Sequence, residues 1–575
     1  MFKKFRWFID YYKKEYIIAL TFLFLSDLVG LIPPYITGKL TDLIFKGEIG
    51  FDRFIKIILF TFFVVVVKYF FAMGWSYFIN RASNEIEHET RDKLIRKFLK
   101  QQLRFFEVNS TGSLMSKSTG DVYALSDLAG PGTLSFFDST VFPICIVIMM
   151  AVAIDFKLTI VSILPLPLLA ILCIKIGDKI YEKYFIAQKS FDNLNDQVLE
   201  DVEGVRIIRT FNQKEKRYEA FTEKGEKLRD DNMNVAKLEA LMAPLQRIIP
   251  ALTFIIAISY GSYLIKINEI SVGELVSFTY YLNMLIWPMY ALGNFINMKE
   301  QAEASMDRIG EVLNYKEDYV DREDAVDLKD EVFDINFNSH SFSYPSNDIK
   351  RLKDIKLKID AGRSVGILGK TGSGKSSLIK QLLNLYKMDT STILLDNMPY
   401  DYYTTKSIRS KIGYVPQKYM IFSKTIRENI IFGDKSKDEK DLEWALTMAD
   451  FKKDVDEFTD GYETLCGEQG ISLSGGQKAR LQLARALIKK PGILILDDTM
   501  SALDSETEKN ILTNLKENFS GLTLLIASHR IVQVKDLDYI IVLEDGKIVE
   551  EGDSDALMAN KAWYYKQYQI QSMEE

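Results

Sequence analysis

Six apolar stretches occupy the first three hundred residues, at 16–45, 54–78, 134–154, 158–176, 245–265 and 272–298. Each can cross a hydrocarbon core, which takes roughly 20 residues as a helix. This part of the chain therefore reads as a polytopic α-helical membrane domain. Its connections alternate in length. Residues 46–53, 155–157 and 266–271 are short links, whereas 80–133 and 177–244 are long, charged and of helix-forming composition. Arg81, Arg91, Lys93, Lys175 and Lys179 lie near the apolar ends, so the positive-inside tendency places both long connections in the cytoplasm with the N-terminus. An even number of spans returns the C-terminal half to the same side. Residues 1–15 mix Lys3, Lys4, Arg6, Lys13 and Lys14 with Phe2, Phe5, Trp7, Phe8, Tyr11 and Tyr12, with no small-residue cleavage site. That composition reads as an interfacial segment lying on the membrane, not as a removable signal.

Two charges interrupt the apolar runs. Asp27 lies about 16 Å along its helix from Tyr16, and Lys68 about 22 Å along the antiparallel helix from Arg53, at ~1.5 Å per residue. Those depths nearly coincide, and an isolated charge there costs at least about 2.5 kcal/mol. The two are expected to pair or to face one hydrated cavity, as a structural ion pair or as a functional one.

The mean hydropathy of -0.03 averages this half with a charged, globular one. A net charge of -7 supplies no basic arm, which argues against nucleic acid as a partner. Cys145, Cys173 and Cys466 are scattered without C-x-x-C spacing or histidine companions. Neither a disulfide framework nor a zinc site is expected.

The second half carries two phosphate-binding devices. Gly369-Lys370-Thr371-Gly372-Ser373-Gly374-Lys375-Ser376 fits G-x-x-x-x-G-K-[ST], follows the strand-like run 364–368 and opens a helical run at Ser377. Its glycines let successive N–H groups turn toward phosphates, with Ser377 beside them. Lys375 reaches the β- and γ-phosphates, and the Ser376 hydroxyl suits Mg²⁺. Leu473-Ser474-Gly475-Gly476-Gln477 precedes the amphipathic run 477–489, so Ser474 and the free N–H groups of that helix start form a second anion site. One nucleotide fills the first loop. The simplest arrangement closes the second site over a nucleotide held by another such domain.

In this order and spacing the motifs resemble the ATP-binding cassette (ABC) family. Tyr344 matches the aromatic that stacks on adenine, and Gln417 in Gly413-Tyr414-Val415-Pro416-Gln417 matches the Q-loop, which faces both nucleotide and metal. Ile493-Leu494-Ile495-Leu496-Asp497 ends in the Walker B carboxylate, which in the family holds Mg²⁺ through water. Ser501-Ala502-Leu503-Asp504 matches the D-loop, and His529 in Ala527-Ser528-His529-Arg530 the switch histidine. His340, close to Tyr344 in sequence, reads as an ordinary surface or strand residue. The long connections resemble the intracellular extensions of ABC exporters. Phe105-Phe106-Glu107 with Thr111-Gly112-Ser113-Leu114-Met115-Ser116 matches the first coupling segment, and Glu203-Gly204-Val205-Arg206 with Thr210-Phe211 the region after the second. Ala304-Ser305-Met306-Asp307-Arg308-Ile309 joins the halves. The resemblance covers nearly the whole chain. It implies an interfacial elbow at 1–15, a six-helix exporter membrane domain at 16–312, an acidic linker at 313–332 and an α/β P-loop nucleotide-binding domain at 333–575. It also implies ATP and Mg²⁺ as cofactors, a place in the cytoplasmic membrane with both termini cytoplasmic, and a half-transporter that must pair.

After the Walker B Asp, hydrolytic sites of the family place Glu, but this chain has Asp498. The carboxylate is one methylene shorter. Activating water needs heavy-atom contact near ~2.6 to 3.2 Å, and a displacement of about 1 Å costs on the order of 100-fold. The site with Asp498 and His529 as its catalytic residues is expected to bind ATP and hydrolyse it slowly, while the intact Leu473-Ser474-Gly475-Gly476-Gln477 serves the opposite chain. This combination resembles one subunit of the heterodimeric bacterial multidrug exporters of the LmrC, BmrC and MdlA kind. It implies a partner half-transporter with Glu after its Walker B Asp, surrounding membrane lipid, and an amphipathic small-molecule substrate. Phe136, Phe137, Phe278, Tyr280, Tyr281, Trp287 and Tyr290 are candidates to line its path, and each also fits as a packing residue. Three other readings stay open: a homodimer in which Asp suffices, a lipid or peptide exporter, and a regulatory ABC subunit that exports nothing. Peptide exporters often carry an N-terminal peptidase with catalytic Cys and His, and neither residue precedes His88.

Overall fold

The computed structural model describes residues 12–316, 319–345, 349–519 and 521–574. The interfacial segment expected at 1–15 lies, up to residue 11, outside the described residues. The chain divides into two compact units, Met1–Leu99 with Thr111–Tyr315, and Lys100–Ser110 with Lys316–Glu575.

The first unit is helical. Its elements are Lys13–Gly30, Ile32–Phe45, Phe51–Lys100, a run from Thr111 to Ala153, Phe156–Ile163, Leu166–Glu203, Val205–Thr210, Lys214–Lys266, Val272–Met284 and Ile286–Leu313. Among the described residues four stretches are long and apolar enough to cross a membrane: Lys13–Phe45, Phe51–Lys100, Thr111–Ala153 and Lys214–Lys266. The apolar stretches at 158–176 and 272–298 are helical but interrupted. Pro165 and Pro167 break the first and Leu285 marks the break in the second, just before Pro288. Proline lacks the N–H that would continue the ladder. The Thr111–Ala153 run passes through two π turns, Lys117–Asp121 and Leu128–Gly132, the second containing Pro131.

Leu59, Phe60, Phe62, Phe63 and Phe70 are exposed on Phe51–Lys100, as on a helix whose surroundings are themselves apolar. Ile146, Met150, Leu158, Ala257, Leu264, Phe278 and Tyr281 form the interior of this unit. The Tyr281 hydroxyl donates to the Leu31 carbonyl at 2.7 Å. Phe278 and Tyr281 are thus packing residues, whereas Phe136, Tyr280 and Trp287 stay exposed, and the Trp287 indole N–H donates to Asp138 at 2.8 Å. Asp42 accepts from the Ser271 hydroxyl at 2.6 Å and the Gly273 N–H at 2.7 Å, fixing the start of Val272–Met284. Asp27 and Lys68 do not bond directly. One Asp27 carboxylate oxygen is buried without a protein partner, and the Lys68 ammonium stands against Gly30.

The second unit contains two sheets. β1 (Ile335–Ser343), β2 (Lys350–Ile359), β4 (Ile393–Leu395) and β5 (Met398–Pro399) form an antiparallel sheet in the order β2-β1-β4-β5. The second sheet has the order β10-β9-β3-β8-β7-β6, with β3 (Ser364–Leu368), β6 (Ile412–Val415), β7 (Ile493–Asp497), β8 (Thr523–Ser528), β9 (Tyr539–Glu544) and β10 (Lys547–Gly552). All its neighbours are parallel except β9 and β10. Every residue of β7 and β8 is buried, which is why both read as unbroken apolar runs. Burying one such Leu or Ile is worth roughly 1.5–3 kcal/mol.

Parallel register is what builds the site. Leu368 lies beside Ser528, Asp497 beside Ala527 and Val415 beside Leu496. The loops after β3, β8, β7 and β6 therefore leave one edge of the sheet together, the edge where open α/β sheets bind ligands.

Two segments pack differently from what their composition suggests. Lys100–Ser110 belongs to this unit because Phe105 is fully buried and Glu107 accepts a hydrogen bond from the Tyr386 hydroxyl. The acidic linker is tied down: Asp321 accepts from the Thr405 hydroxyl at 2.6 Å and Leu328 is buried. His340 is a strand residue with no surface, its Nδ1 2.6 Å from the Thr392 hydroxyl. Burial holds its pKa below the usual histidine value.

Candidate functional site

Between β3 and the helix Lys375–Leu382 the backbone adopts φ of +151° at Gly369, +85° at Gly372 and +115° at Gly374. A Cβ on Gly369 would lie 2.4 Å from the Leu543 carbonyl oxygen, so only glycine turns the chain here. Lys375 curls back over the loop it starts from. Its ammonium donates to the carbonyls of Gly369 at 2.6 Å and Lys370 at 3.1 Å. Burial lowers the Lys375 pKa, and the neighbouring Asp498 and Asp497 oppose that shift.

The Ser376 hydroxyl donates to Asp497 at 2.9 Å. Asp497 is 2% exposed, and burial raises its pKa against the Ser376 hydrogen bond. A buried carboxylate beside a hydroxyl, at the end of the phosphate loop, is a hard-oxygen pair of the kind Mg²⁺ prefers.

Asp498 joins the remaining pieces. Its backbone sits in the left-handed region at φ +52°, a conformation Asp tolerates better than most residues. One carboxylate oxygen is 3.0 Å from His529 Nδ1, and the other accepts from Gln417 Nε2 at 3.1 Å. Loops from three strands thus meet on this one carboxylate. Both of its oxygens are engaged by side chains.

Tyr344 packs edge-on against Phe342 and Tyr386, with centroids 4.9 and 5.0 Å apart. Its hydroxyl lies 2.9 Å from the Ser377 hydroxyl, which ties the aromatic to the phosphate-loop helix. Lys370, Thr371 and Ser373 complete that loop, and the Ser373 hydroxyl is buried without a protein partner.

Ser474 to Gln477 stand apart from this cluster. Ser474 caps the helix Gly475–Leu487 in a reciprocal box: its hydroxyl accepts from Gln477 N–H at 3.3 Å, and Gln477 Oε1 accepts from Ser474 N–H at 2.9 Å. Gln477 Nε2 also donates to Asp454 at 3.1 Å, where Arg480 pairs with the same carboxylate at 2.6 Å. Ser474 and Gly475 are exposed, and a Cβ on Gly475 would meet nothing. The helix start is therefore preformed and open.

Sequence reasoning did not single out Tyr386 or Asp454. Tyr386 is 279 positions from its Glu107 partner, and no local pattern announces such a pairing. Asp454 follows no motif, and its role shows only once Gln477 and Arg480 are in place.

Comparison with known proteins bears on the family and the fold. The family model of the ABC transporter transmembrane region matches residues 16–289, and the ABC transporter family model matches 352–501. The chain is 39% identical over 571 residues to the probable multidrug resistance ABC transporter ATP-binding/permease protein YheI of Bacillus subtilis, covering 99% of this chain and 97% of that protein. It is 31% identical over 574 residues to the multidrug resistance-like ATP-binding protein MdlA of Escherichia coli, covering 100% and 97%. A bacterial Atm1-family ABC exporter with ATP bound shares the fold at a TM-score of 0.80 and 22% identity, covering 97% of this chain and 99% of that one.

Proposed function

The chain belongs to the ABC transporter family, whose nucleotide domain is an ATPase coupled to transport, and on that premise we propose that it is the slow-site half of a heterodimeric exporter of amphipathic compounds. The observation that carries the reading is the engagement of Asp498. His529 and Gln417 each hold one of its oxygens, which fixes the direction of a carboxylate that ends one methylene short of the usual reach of a Glu toward water. Binding does not need that reach, because Lys375, Ser376 and the loop amides are all in place.

ATP held at Lys375 would be closed by the partner's counterpart of the helix start at Ser474, while Ser474, Gly475 and Gly476 of this chain close the partner's site. Mg²⁺, when bound, would neutralise phosphate charge. Ser376, Asp497 and Gln417 are the residues to hold it. Closing two nucleotide domains on ATP and reopening them after hydrolysis drives the membrane cavity between inward- and outward-facing states. The partner is a half-transporter with Glu after its Walker B Asp. The complex sits in the cytoplasmic membrane with both termini of this chain cytoplasmic. The substrate class rests on the named multidrug relatives and on the exposed aromatics Phe136, Tyr280 and Trp287.

Inside-out vesicles carrying the complex test this reading with a cationic amphipathic dye. ATP-dependent dye accumulation that responds to Lys375→Ala supports export. Nucleotide-dependent association with another protein, without dye flux, would favour a regulatory subunit.

A further inference from the structure

The switch histidine is only half-buried, with 51% of its side chain exposed, so packing alone does not aim it at Asp498. Its backbone does. At the end of β8, the Ser528 hydroxyl donates to Gln533 Oε1 at 2.5 Å and accepts from the Arg530 N–H at 2.9 Å. Gln533 Nε2 in turn donates to Glu508 at 3.2 Å, on the helix Ser505–Asn518 that follows the D-loop. The remaining grip comes from the C-terminal helix Trp563–Glu574. The Gln571 amide straddles Arg530: Nε2 donates to the His529 carbonyl at 2.9 Å, and Oε1 accepts from the Ile531 N–H at 2.8 Å.

A two-point bond of this kind does what a neighbouring strand would do. It fixes the His529 carbonyl and the Ile531 N–H at once, and so restricts rotation of the peptide planes on both sides of Arg530. The His529 Cα lies in the first of these planes, and the bond to the second keeps that plane from turning, so the direction of the His529 Cα–Cβ bond is steadied. A residue that holds one carbonyl alone would leave that direction free to swing.

We infer that Gln571 is a positioning residue for hydrolysis, and that the C-terminal helix aims the imidazole of His529 at Asp498 by bridging the two peptides on either side of the adjacent Arg530. The inference rests on the reading of His529 as the switch histidine. Gln571 touches neither ATP nor the reacting atoms. Its loss should therefore lower the rate of hydrolysis and leave nucleotide affinity alone, because a misplacement of about 1 Å costs up to 100-fold in rate.

Gln571→Met keeps the length and helix preference of the side chain and removes both hydrogen bonds. The test is single-turnover hydrolysis of ATP by the full-length complex in lipid nanodiscs, with the Glu after the partner's Walker B Asp changed to Gln so that the phosphate loop of this chain is the site read, run for Gln571→Met, His529→Ala and the double variant, with MgATP affinity and Tm measured alongside. The expected result is about a tenfold lower rate for Gln571→Met, with affinity within twofold, Tm unchanged, and no further loss when it is added to His529→Ala. A rate for Gln571→Met within twofold of the unaltered complex, where His529→Ala abolishes hydrolysis, would overturn the positioning role and leave the histidine's role standing. Losses that add in the double variant, or a parallel fall in affinity and Tm, would make Gln571 a structural residue and also overturn it. If His529→Ala changes nothing, the reading of the histidine fails and the positioning role falls with it.

Discussion

Replacing Asp498 by Glu should speed hydrolysis at the phosphate loop of this chain without changing its affinity for ATP. The two carboxylate oxygens of Asp498 lie 3.0 and 3.1 Å from His529 and Gln417. One added methylene advances the carboxylate by about 1.3 Å beyond them, since a C–C bond is about 1.5 Å long. A shift of about 1 Å in the geometry of a reacting group is worth on the order of 100-fold, or about 2.7 kcal/mol of barrier at ~1.36 kcal/mol per tenfold. The backbone opposes the change mildly: φ of +52° suits Asp better than Glu, so the variant should unfold at a slightly lower temperature. Single-turnover hydrolysis of ATP by the full complex with the partner's Walker B Glu changed to Gln, and MgATP affinity measured by fluorescent nucleotide displacement, reads both effects at the site of this chain. A rise of 10- to 100-fold in rate with affinity within about twofold is the expected outcome. An unchanged rate would show that carboxylate reach does not limit this site.

Other substitutions separate the parts of the site. Tyr344→Phe loses only the hydroxyl contact to Ser377 and should keep ATP affinity, whereas Tyr344→Ala should weaken it about tenfold, as base stacking is worth roughly 1–3 kcal/mol; nucleotide titration decides. Gly369→Ala should abolish ATP binding and cost about 1–3 kcal/mol of stability, because its Cβ would meet the Leu543 carbonyl at 2.4 Å. Gly475→Ala has room for its Cβ and should fold normally, so a fall in ATPase activity of the complex would come from the nucleotide it closes over in the partner. Burial raises the Asp497 pKa, so its charged form destabilises the nucleotide-free fold, and that penalty is relieved as pH falls through the raised pKa. Asp497→Asn should accordingly raise Tm at neutral pH while removing Mg²⁺-dependent ATP binding, a pair of opposite signs that calorimetry with and without nucleotide can read.

Much of the nucleotide site was legible because its geometry is local. Gly369, Gly372 and Gly374 sit where the chain needs positive φ, Ser474 and Gln477 form a capping box three residues apart, and β7 reads as an apolar run ending in Asp497. Asp498 and His529 were expected at one site, and parallel strands in order bring both together with Gln417. What sequence could not supply was pairing at long range. Glu107 with Tyr386, Gln571 with His529 and Asp454 with Gln477 are joined by folding alone. His340 shows the same limit, since a polar residue in a strand announces neither its face nor its burial. For Asp27 and Lys68, matching depths placed the Lys68 ammonium against Gly30, one turn from Asp27, but depth alone does not decide whether two side chains that face one another bond directly.

The subunit composition of the native complex tests the central claim most directly. A tagged form of this chain, purified from its own membranes in mild detergent with ATP and weighed intact by mass spectrometry, should appear one-to-one with a second half-transporter of different mass that carries Glu after its Walker B Asp. A complex of two copies of this chain alone, hydrolysing ATP at both sites, would contradict the account.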